Sequence, residues 1–104
     1  GVEINALAES QSVLPSPLDT DLYKAIQKFA TQNDPGCPVV PLLLPGATDS
    51  RFLRDKGIIA YDFCPFRLTE KDLLKVHGNN ERVALENLRF GMKIMVEILK
   101  EVSA

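Results

Sequence analysis

The chain has 104 residues, 45% of them hydrophobic and 25% charged, with twelve basic against fourteen acidic side chains and a net charge of −2. That length holds one domain at most, and the composition is that of an ordinary folded protein, which excludes disorder and fibrous repeats. No basic patch is present to neutralise phosphates, so nucleic acid is not an expected partner.

Residues 2–8 open the chain with Val2, Ile4, Ala6 and Ala8 alternating against Glu3, Asn5 and Glu9, broken only at Leu7, the pattern of a short half-buried strand. A Ser/Pro-rich stretch follows over residues 10–17 and reads as a linker. Ser16 and Pro17 then suit the start of a helix, a capping hydroxyl followed by the imide at the first helical position. Leu22, Ile26, Phe29 and Ala30 recur at helical spacing and give that helix one apolar face, and Pro35-Gly36 ends it.

Residues 39–44 form an apolar run without alternation, as expected of a strand covered on both faces. At six residues, one of them Pro41, it is far too short for the ~20 that span a bilayer. Nor is there an Arg/Lys-led apolar start of the signal-peptide kind, although the first residue is Gly rather than Met, as in a chain processed or cut from something longer. Pro45-Gly46 stops the run, Thr48 or Asp49 is placed to cap a short helix through Phe52, Leu53 and Lys56, and Gly57 is placed to close it. A second covered strand is expected over residues 58–63, then a polar loop to about Asn80. Leu85, Leu88, Met92, Met95, Val96, Leu99 and Val102 predict a long closing helix with that stripe as its buried face. Alternating strands and helices give the expected fold class, α/β with a mainly parallel sheet flanked by helices and right-handed crossovers. Two cysteines without C-x-x-C spacing exclude a disulfide framework and favour a reducing, cytoplasmic compartment.

In open α/β folds ligands gather where strands lead into helix starts, and two segments occupy such places. In the 46–51 turn, Gly46 lets backbone approach a ligand, the free N–H groups of a helix start attract an anion, and Arg51 has the geometry to clamp a carboxylate. The plain alternative is a capped turn with Arg51 facing solvent or Asp55. The second segment holds His77, the only histidine, four residues before Glu81. Neutral imidazole is the commonest protein ligand for a metal such as zinc, yet a zinc site needs three or four ligands and a lone histidine in a polar loop is commonly just solvated. Glu81 is suited to capping or pairing near the closing helix.

Taken in order, Gly46-Ala47-Thr48-Asp49-Ser50-Arg51, then Gly57-Ile58-Ile59-Ala60-Tyr61-Asp62-Phe63-Cys64-Pro65-Phe66, then His77-Gly78-Asn79-Asn80-Glu81-Arg82-Val83 and the closing helix resemble the C-terminal part of a known family. This is the family of zinc-dependent exopeptidases and amidohydrolases that includes aminoacylase, glutamate carboxypeptidase, carboxypeptidase S-type enzymes and succinyl-diaminopimelate desuccinylase. The likeness covers residues 15–104 and departs at Ile59, where the family often has proline at a strand start.

The resemblance implies a role for each segment. His77 matches the last of the family's zinc ligands and Glu81 the acid that follows it, while Gly46, Thr48, Asp49 and Arg51 match the turn lining the substrate pocket. Residues 1–10 match the end of an inserted dimerisation domain, residues 11–17 the return linker and residues 18–104 the catalytic domain. A complete active site would hold two zinc ions, of which this chain ligates one through His77. Those ions would polarise an amide carbonyl and bring a bridging water to a pKa of ~7, with a glutamate moving the proton. The H-x-D and Glu-Glu motifs that supply the remaining ligands and that glutamate are not in this sequence. The resemblance therefore implies a fragment of a peptidase or N-acyl amino-acid hydrolase that is inactive by itself, soluble, and homodimeric when complete. Two other functions are compatible with the residues: a non-catalytic α/β interaction or regulatory module, and a module that binds an acidic metabolite at the 46–51 turn without metal.

Overall fold

A computed structural model describes residues 1–5, 12–43 and 46–104, and its regular elements are four helices. They are α1 (Asp21–Asn33), α2 (Ser50–Asp55), α3 (Glu70–Leu73) and α4 (Leu85–Val102). The first and last pack side by side and hold the core, Ala25 and Ile26 against Ile94 and Ile98. They run antiparallel, since Lys28 of α1 meets Glu101 late in α4 whereas Asn33, at the end of α1, meets Glu97 and Lys93. Leu22, Phe29, Val39, Tyr61, Phe63 and Phe90 pack around this pair.

The expected α/β sheet is not there: among the described residues there is no strand. Residues 39–43 and 58–63 are non-helical, and of them Val39, Tyr61 and Phe63 pack against the helix pair. An apolar run without alternation does not by itself specify a strand, and here only part of each run finds cover, on the helices. Where a sheet would supply ladder partners, side chains do so instead. The Ser16 hydroxyl accepts from the Ala60 N–H at 3.0 Å and donates to the Ala60 carbonyl at 3.1 Å, as a neighbouring strand would. Tyr61 donates to the Pro17 carbonyl and shares a hydrogen bond with Thr20, and the Tyr23 hydroxyl reaches the Val39 carbonyl. Val40, Leu42 and Leu43 stay exposed, Leu43 at 94%. The radius of gyration, 16.9 Å, accordingly exceeds the about 13 Å of a close-packed chain this long. Of the opening strand expected over residues 2–8, residues 2–5 are exposed and in no strand, and residues 6–8 lie outside the described residues.

The helix ends show which local signals prevailed. The first helix begins at Asp21 rather than after Ser16: the Ser16 hydroxyl spends both its bonds on Ala60, whereas Thr20 Oγ1, besides its bond with Tyr61, accepts from the Tyr23 N–H at 3.1 Å and caps the helix. Gly57 closes α2 as expected. At φ +73° it lets its own N–H reach the Arg54 carbonyl and the Ile58 N–H reach the Leu53 carbonyl, the paired bonds of a Schellman cap. The third helix, unforeseen in the polar loop, starts from a capping box in which Thr69 and Asp72 exchange side-chain and backbone bonds.

The last helix forms where expected but turns another face inward. Gly91, Ile94 and Ile98 are buried, whereas Leu85, Leu88, Met92, Met95, Val96, Leu99 and Val102 are exposed. Apolar residues occupy two sides of α4, so apolar periodicity cannot choose between them. The chosen side is the one on which Glu97 and Glu101 find Asn33 and Lys28 of α1.

Candidate functional site

The 46–51 turn is built around Asp62. The Ser50 hydroxyl donates to Asp62 Oδ1 at 2.6 Å, and Arg54 Nη1 stands 3.6 Å from Oδ2. The Ser50 hydrogen bond foremost, with Arg54 adding to it, holds the Asp62 carboxyl below its ordinary value of 3.8, against burial, which pushes the other way and is second only to Ser50. A carboxylate whose folded pKa is depressed stabilises the fold above the unfolded value, and that contribution disappears as pH falls through the folded one. Acidification below about pH 4 is therefore expected to loosen this corner, and Ser50→Ala to raise the Asp62 pKa towards its ordinary value. Carboxyl-carbon NMR titration of Asp62 in the two proteins measures both; an unchanged midpoint in Ser50→Ala would contradict the assignment.

The expected cap does not form. Asp49 occupies the N-cap position in a helical conformation with no side-chain capping bond. The N–H groups of Arg51 and Phe52 bond back to the carbonyls of Thr48 and Asp49, so they are not free to receive an anion. Gly46 adopts φ +155° with open space where a Cβ would stand, leaving the chain approachable there. Among the described residues Arg51 forms no ion pair, with Asp55 or any other acid. Its guanidinium lies over the Phe52 ring, 4.5 Å from the centroid, and its Nε, like that of Arg54, is buried without a hydrogen-bond partner among the described residues. A buried donor left unpaired is costly, which makes this guanidinium the feature of the turn best suited to an incoming carboxylate.

His77 is exposed, with φ +61°, a left-handed backbone uncommon outside glycine but tolerated by histidine and asparagine; Asn80, at φ +64°, shares it. The His77 N–H donates to Glu81 Oε2 at 3.0 Å, so Glu81 holds the backbone that carries the imidazole. The ring itself makes no hydrogen bond among the described residues. Neither a hydrogen bond nor an ion pair among them joins His77 to the 46–51 turn, and no three His, Cys, Asp or Glu side chains among them come together to hold a metal. An exposed imidazole on a fixed backbone fits the part of one donor; the described residues do not fit a complete metal centre. Cys37 and Cys64 are free and exposed. Among the described residues no helix is long and apolar enough to cross a membrane.

Sequence reasoning missed Asp62, the centre of the turn's polar contacts, and the pair Arg67 and Asn87. Asp62 stands in an otherwise apolar segment, which was a usable signal. Asn87 gave none, being one polar residue on a helix face with several.

Comparison with known proteins supplies what local geometry cannot. Residues 1–101 match peptidase family M20/M25/M40. The N-fatty-acyl-amino acid synthase/hydrolase PM20D1 of Xenopus tropicalis is 29% identical over 100 residues, 95% of this chain and 20% of that protein. A probable carboxypeptidase S-like 2 of Dictyostelium discoideum is 28% identical over 83 residues, 77% of this chain and 16% of that protein. The chain thus spans a fifth or less of the length of these relatives. No solved structure matches. With nearly every residue inside the match, the chain belongs to peptidase family M20/M25/M40.

Proposed function

We propose that this chain forms part of a metal-dependent hydrolase that cleaves the amide bond of peptides or N-acyl amino acids. The match to the peptidase family over residues 1–101 carries the reading. The two relatives' names, an N-fatty-acyl-amino acid synthase/hydrolase and a carboxypeptidase, share one substrate feature. In an N-acyl amino acid and at the end of a peptide alike, the amide nitrogen belongs to a residue bearing a free carboxylate.

The residues divide the work accordingly. Arg51, with its unpartnered buried Nε, holds the substrate carboxylate at the 46–51 turn, beside Gly46, Thr48 and Asp49. His77 gives one donor to a cation, zinc being the metal its imidazole suits. A cation bound there supplies polarisation of the amide carbonyl and an activated water. Glu81 keeps the His77 backbone in place. Since the described residues assemble no complete metal centre, residues 1–104 by themselves are not expected to hydrolyse an amide. The division into 1–10, 11–17 and 18–104, with the first part serving dimerisation, belongs to the same proposal; the exposed Val2 and Ile4 support it.

Arg51 provides the test. A hydrogen bond between charged groups contributes about 1.5–3 kcal/mol, about 10- to 150-fold in binding. Arg51→Ala in the complete protein should raise KM for a dipeptide with a free carboxylate by that factor. The same dipeptide with an amidated end should bind wild type and variant equally. Equal KM values for the free acid in both proteins would remove Arg51 from this role.

A further inference from the structure

We infer that Asn87 and Arg67 are positioning residues that together clasp the root of the arm carrying His77. The Asn87 amide meets the Arg67 backbone as a neighbouring strand would. Its Oδ1 accepts the Arg67 N–H at 2.8 Å and its Nδ2 donates to the Arg67 carbonyl at 2.8 Å, which uses both halves of the amide. The Arg67 side chain then crosses to the end of α1. Its Nε donates to Asp34 at 3.0 Å, its Nη2 to the Asn33 carbonyl at 3.1 Å, and its guanidinium stacks over Phe90 of α4 at 4.1 Å. One residue is thus tied to both long helices. Immediately before it, the Phe66 ring fills the space above Gly91, where a Cβ would come within 2.5 Å of the ring.

Beyond this root the chain is bonded only to itself. Among the described residues, 68–83 make no hydrogen bond or ion pair to any residue outside that stretch. Inside it are the Thr69/Asp72 capping box, the Gly78 N–H to Lys75 carbonyl bond and the His77 to Glu81 bond. A cleft of about 450 Å³, lined in part by Thr69, Asp72, Arg82 and Glu86, lies between the arm and α4, so the arm is not packed down along its length. His77 stands ten residues after Arg67 and ten before Asn87, at the middle of the loop their contact closes. A segment that is ordered internally and tied at one place takes its direction from that place, and releasing the tie costs the loop its closure.

The significance of the arm rests on the proposed role of His77, whereas the clasp rests on the contacts alone. Both are tested in the complete protein with Asn87→Ala, Asn87→Asp, His77→Ala and the core control Ile26→Val. The readouts are amide hydrogen exchange over residues 68–82 and zinc affinity by competition with a coloured chelator. Asn87→Ala should quicken exchange in the arm about tenfold or more while α1 and α4 stay protected. It should also weaken zinc binding about tenfold, as loss of a supporting contact does at metal sites. Asn87→Asp keeps the bond from the Arg67 N–H and should fall between wild type and Asn87→Ala. Ile26→Val should lower Tm and move neither readout. Exchange within twofold of wild type in Asn87→Ala overturns the clasp, and a zinc affinity no more altered than in Ile26→Val, with zinc lost in His77→Ala, overturns its positioning of His77. Wild-type zinc content in His77→Ala overturns instead the metal role proposed for His77, and the exchange data then decide the clasp by themselves.

Discussion

Replacing His77 by alanine in the complete protein is expected to abolish amide hydrolysis and to release about one equivalent of metal. The magnitude follows from what a bound cation contributes, several kcal/mol of stabilisation to charge developing on the carbonyl, so about a thousandfold or more in kcat/KM. The variant should still fold. His77 is exposed, its ring makes no hydrogen bond among the described residues, and the bond to Glu81 comes from its backbone, which alanine retains. Alanine tolerates φ +61° less well than histidine, so His77→Asn is the companion variant. Asparagine accepts the left-handed backbone and is a poor zinc donor. Metal analysis and turnover of a free-carboxylate dipeptide decide the matter. Full metal content with unchanged turnover in both variants would show that the imidazole is only solvated.

The site candidates and the fold were read from different kinds of signal in the sequence. His77, Gly46 and Arg51 are marked by residue type at particular spacings, and type survives whatever the surrounding architecture. The sheet was inferred from two apolar runs, residues 39–44 and 58–63, and an apolar run does not by itself specify a strand. Here helices and side chains cover part of each, with Ser16 taking the place of a ladder partner at Ala60. Local signals proved reliable where one residue has one possible use. Gly57 closes α2, and Pro35-Gly36 follows the end of α1. They failed where two residues compete for one use, as when Thr20 rather than Ser16 capped α1. The clasp was the least legible feature. Arg67 and Asn87 are twenty residues apart, each is an ordinary surface residue, and only the fold makes them neighbours.

The closing helix offers the sharpest separation between pattern and packing, because its two apolar sides predict opposite outcomes. Ile94 is 2% exposed and lies against Ala25 and Ile26, while Met92, two residues away, is 60% exposed. Truncating a buried isoleucine to alanine removes its transfer energy and leaves a cavity, about 2–5 kcal/mol in all. Ile94 belongs to a core cluster of only four buried residues among those described, so few neighbours can close over the gap and the upper part of that range is expected. Domains of ordinary stability have about 5–15 kcal/mol in reserve, so Ile94→Ala should remove a large share of it. Met92→Ala should change stability by about 0.5 kcal/mol or less, as exposed substitutions do. Urea denaturation of the 104-residue chain, followed by helical circular dichroism, measures both. A Met92→Ala loss equal to or greater than that of Ile94→Ala would mean that α4 buries the stripe running from Leu85 to Val102 and that the packing of α1 on α4 is wrong.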